Sequence, residues 1–229
     1  MPRVLYELLG ADDLRFSPFC WRTRMALAHK GLELDEIVPV AFTEKEKIAF
    51  SGQERVPVLA DNGQTIFDSW AIACYLEETY PDRPSLFGNA TARGEALFIN
   101  NWVDRVLHAE IFPMVVKDIF DHVLPKDRDY FRETREKRMG ETLEATHAKR
   151  DARLKNFSKT LDVLRHTLKK ETFLCGANPA YADYSVFGAF QWARGVSSLP
   201  LLTQGDPIDD WHKHMLDLFD GLGRNLKGV

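Results

Sequence analysis

Apolar positions follow two different periods along the chain, and the change between them divides it. Between residues 3 and 80 short apolar runs alternate with helical stretches. Residues 3–8 read as a strand. From Pro18 the spacing is helical, with Met25, Ala26, Leu27 and Ala28 continuing the pattern until Gly31 stops it. Leu34 to Val40 reads as a second strand, followed by a short charged helix over about 43–51. Arg55 to Ala60 is a compact apolar run, and Asn62-Gly63 supplies the tight turn of a hairpin that returns through Thr65, Ile66 and Phe67. Asp68 and Ser69 then precede an apolar helix that stops at Tyr80-Pro81. The order, strand–helix–strand–helix–strand–strand–helix, is a small α/β domain with an antiparallel edge.

Two prolines and a glycine between Pro81 and Gly88 break both periods. The expected organisation is a first domain over 1–81, a linker over 82–88 and an all-helical domain over 89–229. Residues 91–122 are long and amphipathic, and Pro113 should kink or end that helix. Leu124-Pro125 marks another break. From Lys126 to Lys155 both charge signs are mixed densely, which reads as a solvated helical face held by i,i+4 pairs. Phe157 to Leu168 recovers an apolar stripe. A loop at 172–176 leads through Asn178 to Asp183 into a very apolar helix, Tyr184 to Trp192. Asp206-Pro207-Ile208-Asp209 caps a last helix ending at Gly221.

Composition narrows the function classes. The 229 residues are 45% hydrophobic and carry a net charge of −4, so no basic field exists to hold nucleic acid. No run of 18 apolar residues occurs, which argues against a spanning helix. The N-terminus leads into strand pattern and is not a secretory signal. Cys20, Cys74 and Cys175 are odd in number and widely spaced, which favours reduced thiols and a cytoplasmic setting. Neither a Cys-X-X-Cys nor a metal-ligand spacing appears. His212 and His214, two apart on a helix, are expected at the surface.

Ser17 carries the first candidate chemistry. It lies at a strand-to-helix junction, with Pro18 at the first helical position. A helix cap is one reading. The other uses the unpaired N–H groups and positive dipole end of that helix, which would stabilise an anion such as a thiolate. Pro57 lies where a central strand should run, and proline cannot donate to a ladder. A strand start or a cis turn resolves that conflict and leaves neighbouring backbone groups free.

The strand followed by Ser17-Pro18, the Val56-Pro57-Val58 run, Asp68-Ser69 before an apolar helix, the proline linker and the helical half resemble, in that order, the cytosolic glutathione transferases. The serine at 17 is similar to the serine-type classes. Ser17-Pro18-Phe19-Cys20-Trp21-Arg22-Thr23, Asp68-Ser69-Trp70-Ala71-Ile72, Leu124 to Tyr130 and Asp217 to Arg224 resemble the β-aryl etherase branch and its fungal relatives. The resemblance implies a thioredoxin-like N-terminal domain, an all-α C-terminal domain and a homodimer. It implies glutathione as co-substrate, with Ser17 activating its thiolate toward small aromatic electrophiles, aryl ethers among them. Val56 would pair its backbone with the cysteinyl part, and Asp68 and Ser69 would hold the γ-glutamyl end. Arg55 and Lys47 are weaker candidates for the glycine carboxylate. Where the family has a hydroxyl or amide residue three before the aspartate of its core helix, this chain has Ala180 before Asp183. Two rivals stand beside this reading: a thiol transferase using Cys20, and a non-catalytic carrier of aromatic ligands in the cleft between domains.

Overall fold

The computed structural model describes residues 2–228. Four strands form one mixed sheet in the order β2-β1-β3-β4, where β1 is Val4–Leu8, β2 Glu36–Val40, β3 Val58–Asp61 and β4 Gln64–Phe67. β2 runs parallel to β1, so a crossover must join them, and helix α1 (Pro18–His29) supplies it. β3 is antiparallel to β1 and to β4. The β3–β4 turn places Asn62 at φ 51° and Gly63 at φ 77°, the left-handed pair that such a hairpin needs. Pro57 precedes the first ladder residue, Val58, and its bond to Val56 is cis, so the ladder loses no donor. Helix α2 (Ser69–Thr79) packs back on the sheet. A thioredoxin-like sheet half and an all-helical half make up the described residues.

The helical half opens with α3 (Ala90–Trp102) and α4 (His108–Asp121), joined by a π-helical segment, Val103–Leu107. Pro113 does not end α4, which runs on to Asp121. An interior proline costs about 3 kcal/mol. The stripe Ile111, Met114, Val115, Val116 and Ile119 is buried to 2% exposure or less, and burying each such side chain contributes about 1.5–3 kcal/mol. Packing wins that comparison.

The charged stretch is divided among α5 (Arg128–Met139), α6 (Leu143–His147) and α7 (Arg150–Thr160), and it is not solvated throughout. Asp127, fully buried, accepts hydrogen bonds from the Phe42 and Thr43 amides at 3.2 and 3.0 Å and from the Thr43 hydroxyl at 2.7 Å. It pins the loop after β2 to the helical half.

After α8 (Asp162–Leu168), helix α9 (Tyr181–Val196) is the central element, and it starts three residues earlier than its apolar run suggests. Asp183 explains the early start. Its carboxylate accepts from the Ala180 amide at 3.1 Å, from the Leu174 amide at 2.7 Å and from Trp211 Nε1 at 2.9 Å. Ala180 itself provides no side-chain cap. Helix α9 lies along α1, and at Gly188 a Cβ would sit 2.5 Å from the Pro18 carbonyl oxygen. Only glycine permits that approach.

Helix α10 (Pro207–Gly221) brings a further correction. His214 is exposed, as the sequence suggested, but His212 is buried among Phe187, Phe190 and Trp211. Burial pushes its pKa down to about 4 from the ordinary 6.5. The folded chain therefore holds it neutral where the unfolded chain takes up a proton, and stability falls as pH drops from about 6.5 toward 4. The slope for one such group approaches about 1.4 kcal/mol per pH unit. Urea titrations at stepped pH should show this loss, and His212→Phe should flatten it. An unchanged slope in the variant would place the pH sensitivity elsewhere.

Candidate functional site

Strand register brings the candidate residues to one end of the sheet. Tyr6 pairs with Val58 and Val58 with Phe67, so the end of β1, the start of β3 and the end of β4 lie side by side. The chain leaves β1 there toward Ser17, enters β3 there through Val56 and Pro57, and leaves β4 there through Asp68 and Ser69. Leu8 pairs with Val40, which brings the segment after β2, with Lys47, to the same end.

Ser17 is the N-cap of α1, and its Oγ accepts from the Cys20 amide at 3.3 Å. That bond uses a lone pair and leaves the hydroxyl proton available to donate. The residue is 5% exposed. Asp68 caps α2, accepting from the Trp70 and Ala71 amides at 3.0 Å each, both through Oδ1. Its backbone sits at φ 70°, ψ 128°, a conformation that an L residue adopts only under constraint. Ser69, buried, occupies the first helical position. Val56 lies half-buried outside the ladder. Lys47 is committed to Glu44 at 2.7 Å and the Pro39 carbonyl at 3.0 Å, whereas Arg55 is exposed.

Cys20 faces inward. Burial, aided by the nearby Glu7 carboxylate, pushes its thiol up to about 12 against the opposing influence of Ser17 and Arg24. A thiol so held is not a thiolate near neutral pH.

Behind the site, Arg22 crosses the seam between the two halves. Its guanidinium, fully buried, donates to Asn100 Oδ1 at 3.0 Å and Asp104 Oδ1 at 2.7 Å, and lies 4.9 Å over the Phe19 ring. Asp104 belongs to the π-helical segment, and such segments recur at functional sites. Beside it an aromatic row begins next to Ser17. Phe19 meets His108 edge-on at 5.2 Å, His108 meets Trp192 at 5.5 Å, and Phe112 stacks on Trp192 at 6.2 Å. Burial, with the Arg22 charge adding to it, pushes His108 down to about 3, so the row is neutral.

The family model described as glutathione S-transferase, N-terminal domain, matches residues 16–79, and that for the C-terminal domain matches residues 95–213. The chain belongs to the glutathione S-transferase family. A solved glutathione S-transferase of Ceriporiopsis subvermispora, in complex with glutathione, is 25% identical with a TM-score of 0.79, covering 96% of this chain and 97% of that one. Glutathione S-transferase 4 of Zea mays is 27% identical over 198 residues, 80% of this chain and 79% of that protein. Probable glutathione S-transferase GSTU1 of Oryza sativa subsp. indica is 31% identical over 106 residues, so this chain spans only 46% of that relative's length.

Arg22, Asn100, Asp104 and Trp192 had no role assigned from the sequence. One signal was present: Arg22 interrupts the apolar stripe of α1 formed by Pro18, Trp21 and Met25, and a charge in such a stripe demands a partner. Removing the partner should therefore cost more than removing the pair. Asp104→Ala should lose up to about 3–5 kcal/mol, since it leaves a buried guanidinium with Asn100 as its remaining side-chain acceptor. Arg22→Met combined with Asp104→Ala should recover part of that loss in urea unfolding. A double variant less stable than Asp104→Ala alone would contradict the assignment.

Proposed function

We propose that this chain is a glutathione transferase in which Ser17 stabilises the glutathione thiolate, with residues 1–81 binding glutathione and 89–229 shaping the acceptor side. The observation that carries the reading is the meeting, at one sheet end, of two helix N-termini and one unpaired strand entry. Glutathione offers an anion to each helix and a peptide to the strand entry. Ser69 and the start of α2 receive the γ-glutamyl carboxylate. Asp68, with Oδ1 occupied by α2, turns Oδ2 to the ammonium. The Val56 backbone pairs with the cysteinyl unit, and Arg55 is freer than Lys47 to meet the glycine carboxylate.

The chemistry needs the thiolate, because the thiol is a poor nucleophile and titrates near 8.5. Ser17 donates its proton to the sulfur while accepting from Cys20, and the dipole of α1 adds to the effect. Cap and anion donor are thus compatible roles for one hydroxyl. The thiolate attacks an electrophilic carbon, and the leaving group departs with the electron pair. The aromatic row of Phe19, His108, Phe112 and Trp192 favours a neutral aromatic electrophile. Cleavage of an aryl ether, with a phenoxide leaving, is the narrower version and rests on the motif resemblance. The buried Cys20 thiol weighs against the thiol-transferase alternative. Among the described residues no helix is long and apolar enough to cross a membrane. A homodimer is part of the proposal: Leu97 and Phe98 on α3 are 39% and 70% exposed, and a second copy would cover them. Light scattering should give twice the 26.3 kDa chain mass.

Ser17→Ala should lower turnover roughly 10- to 1000-fold, as loss of one anion-stabilising donor does, and raise the pH at which activity sets in. Cys20→Ala should stay within a few-fold of the parent. If Ser17→Ala lowers melting temperature but not the rate at saturating glutathione, the serine is a cap alone. Ser69→Ala should weaken glutathione by about 1–3 kcal/mol in calorimetry; unchanged affinity would remove Ser69 from the site.

A further inference from the structure

Tyr181, the first residue of α9, is fully buried. Its ring is fixed on two sides: it meets Trp70 of α2 edge-on at 5.5 Å and lies tilted against Phe87 at 5.5 Å. Its amide donates to the Leu86 carbonyl at 3.0 Å. The side chain is thus held across the seam, by α2 and by the segment that joins the two halves. Its hydroxyl, in contrast, finds no hydrogen-bond partner among the described residues. An unpaired buried hydroxyl is unfavourable, and phenylalanine would make the same ring contacts without that cost. Packing alone gives no reason for the oxygen.

The groups around the hydroxyl narrow what it can do. Arg22, Ser69, Asp68 and Asp104 surround it. Arg22 has no lone pair to offer and is already engaged with Asn100 and Asp104. Asp104 is held by that guanidinium at 2.7 Å, and Asp68 is tied to the Trp70 and Ala71 amides. Ser69 remains. It occupies the first position of α2, where the helix satisfies no backbone amide. Burial pushes the Tyr181 pKa up, against the Arg22 charge and the Ser69 hydroxyl, so the phenol keeps its proton.

A serine oxygen has two lone pairs and one proton. Once the phenol donates to a lone pair of Ser69 Oγ, the serine proton is left to point away from Tyr181, toward the space in front of α2. The Ser69 amide faces the same space.

We propose that Tyr181 is a positioning residue for glutathione: its O–H donates to Ser69 Oγ in the complex and turns the serine proton to the γ-glutamyl carboxylate. The inference rests on the reading that Ser69 receives this carboxylate. Tyr181 touches no ligand and acts through the serine. Two hydroxyls in series, ending on a charged group in a buried setting, polarise one another. The first residue of the helical half thereby takes part in recognition by the sheet half.

Stability and affinity should then move in different directions. Tyr181→Phe removes the unpaired oxygen, so its melting temperature should hold or rise, while glutathione binds roughly 3- to 10-fold more weakly, the worth of one neutral hydrogen bond. Tyr181→Leu should bind glutathione at least as weakly but melt lower, because it also loses the ring contacts. In kinetics the Tyr181→Phe loss should fall on KM for glutathione, and the pH at which activity sets in should not move as it does in Ser17→Ala. The test is calorimetry of glutathione on the full chain, with Ser69→Ala and the Ser69→Ala/Tyr181→Phe pair completing a cycle. In the Ser69→Ala background Tyr181→Phe should cost nothing further. Either Tyr181 variant carries the binding arm, so misfolding of one leaves the other decisive. Parental affinity in Tyr181→Phe, with Ser69→Ala weakened, would overturn this inference alone. Parental affinity in Ser69→Ala would remove the reading of Ser69 and the inference together. An equal loss with and without Ser69 would also overturn it, as would a melting temperature in Tyr181→Phe as low as that of Tyr181→Leu.

Discussion

The close approach of α9 to α1 at Gly188 is the constraint on which the rest depends. A Cβ at that point would lie 2.5 Å from the Pro18 carbonyl and 3.3 Å from the Arg22 side chain. The glycine lets the buried core helix of one half lie against the helix that opens the site of the other. Because Ser17 caps α1 and Pro18 begins it, the position of the site hydroxyl is set by packing in the helical half, not by the sheet alone. A one-methyl change at Gly188 would push on the backbone that follows Ser17.

Given that approach, the seam has to accommodate charge. Arg22, Asp127 and Asp183 are all fully buried, and an isolated charge at such positions would be very unfavourable. Each is met by several partners, and most of those partners come from distant parts of the chain. Arg22 takes Asn100 and Asp104, Asp127 takes the loop after β2, and Asp183 takes Leu174, Ala180 and Trp211. On the sheet side Glu7, 1% exposed, is gripped by both Arg24 and Arg15. Such networks cost desolvation, so they specify the docking geometry more than they stabilise it. Broken singly, each would leave an uncompensated charge.

Among the described residues, positive φ outside glycine is confined to a few positions in loops, caps and the end of α10. Asp12 and Asp13 take left-handed angles in the loop before Ser17, and Asp68 does so before α2. Phe219 and Asp220 do the same near the end of α10.

Local signals in the sequence were enough for the elements and for part of the site. Asn62-Gly63, Ser17-Pro18 and Asp68-Ser69 act over two or three residues, so turn and cap chemistry reveals them without a structure. The proline conflict at 57 likewise announced a strand entry. What the sequence could not disclose depends on partners far along the chain. Arg22 and Asn100 are 78 residues apart, and Thr43 and Asp127 are 84 apart. His212 lies on the apolar stripe of Ile208, Met215 and Leu216, so its burial has a local signal, while the Phe187 and Phe190 rings that enclose it come from another helix. Pro113 looked like a helix end because its local cost is visible, whereas the buried stripe that outweighs it exists only once α4 is packed. Short-range hydrogen bonding is written in adjacent residues; desolvation and packing are properties of the assembled interior, and only the tertiary structure decides them.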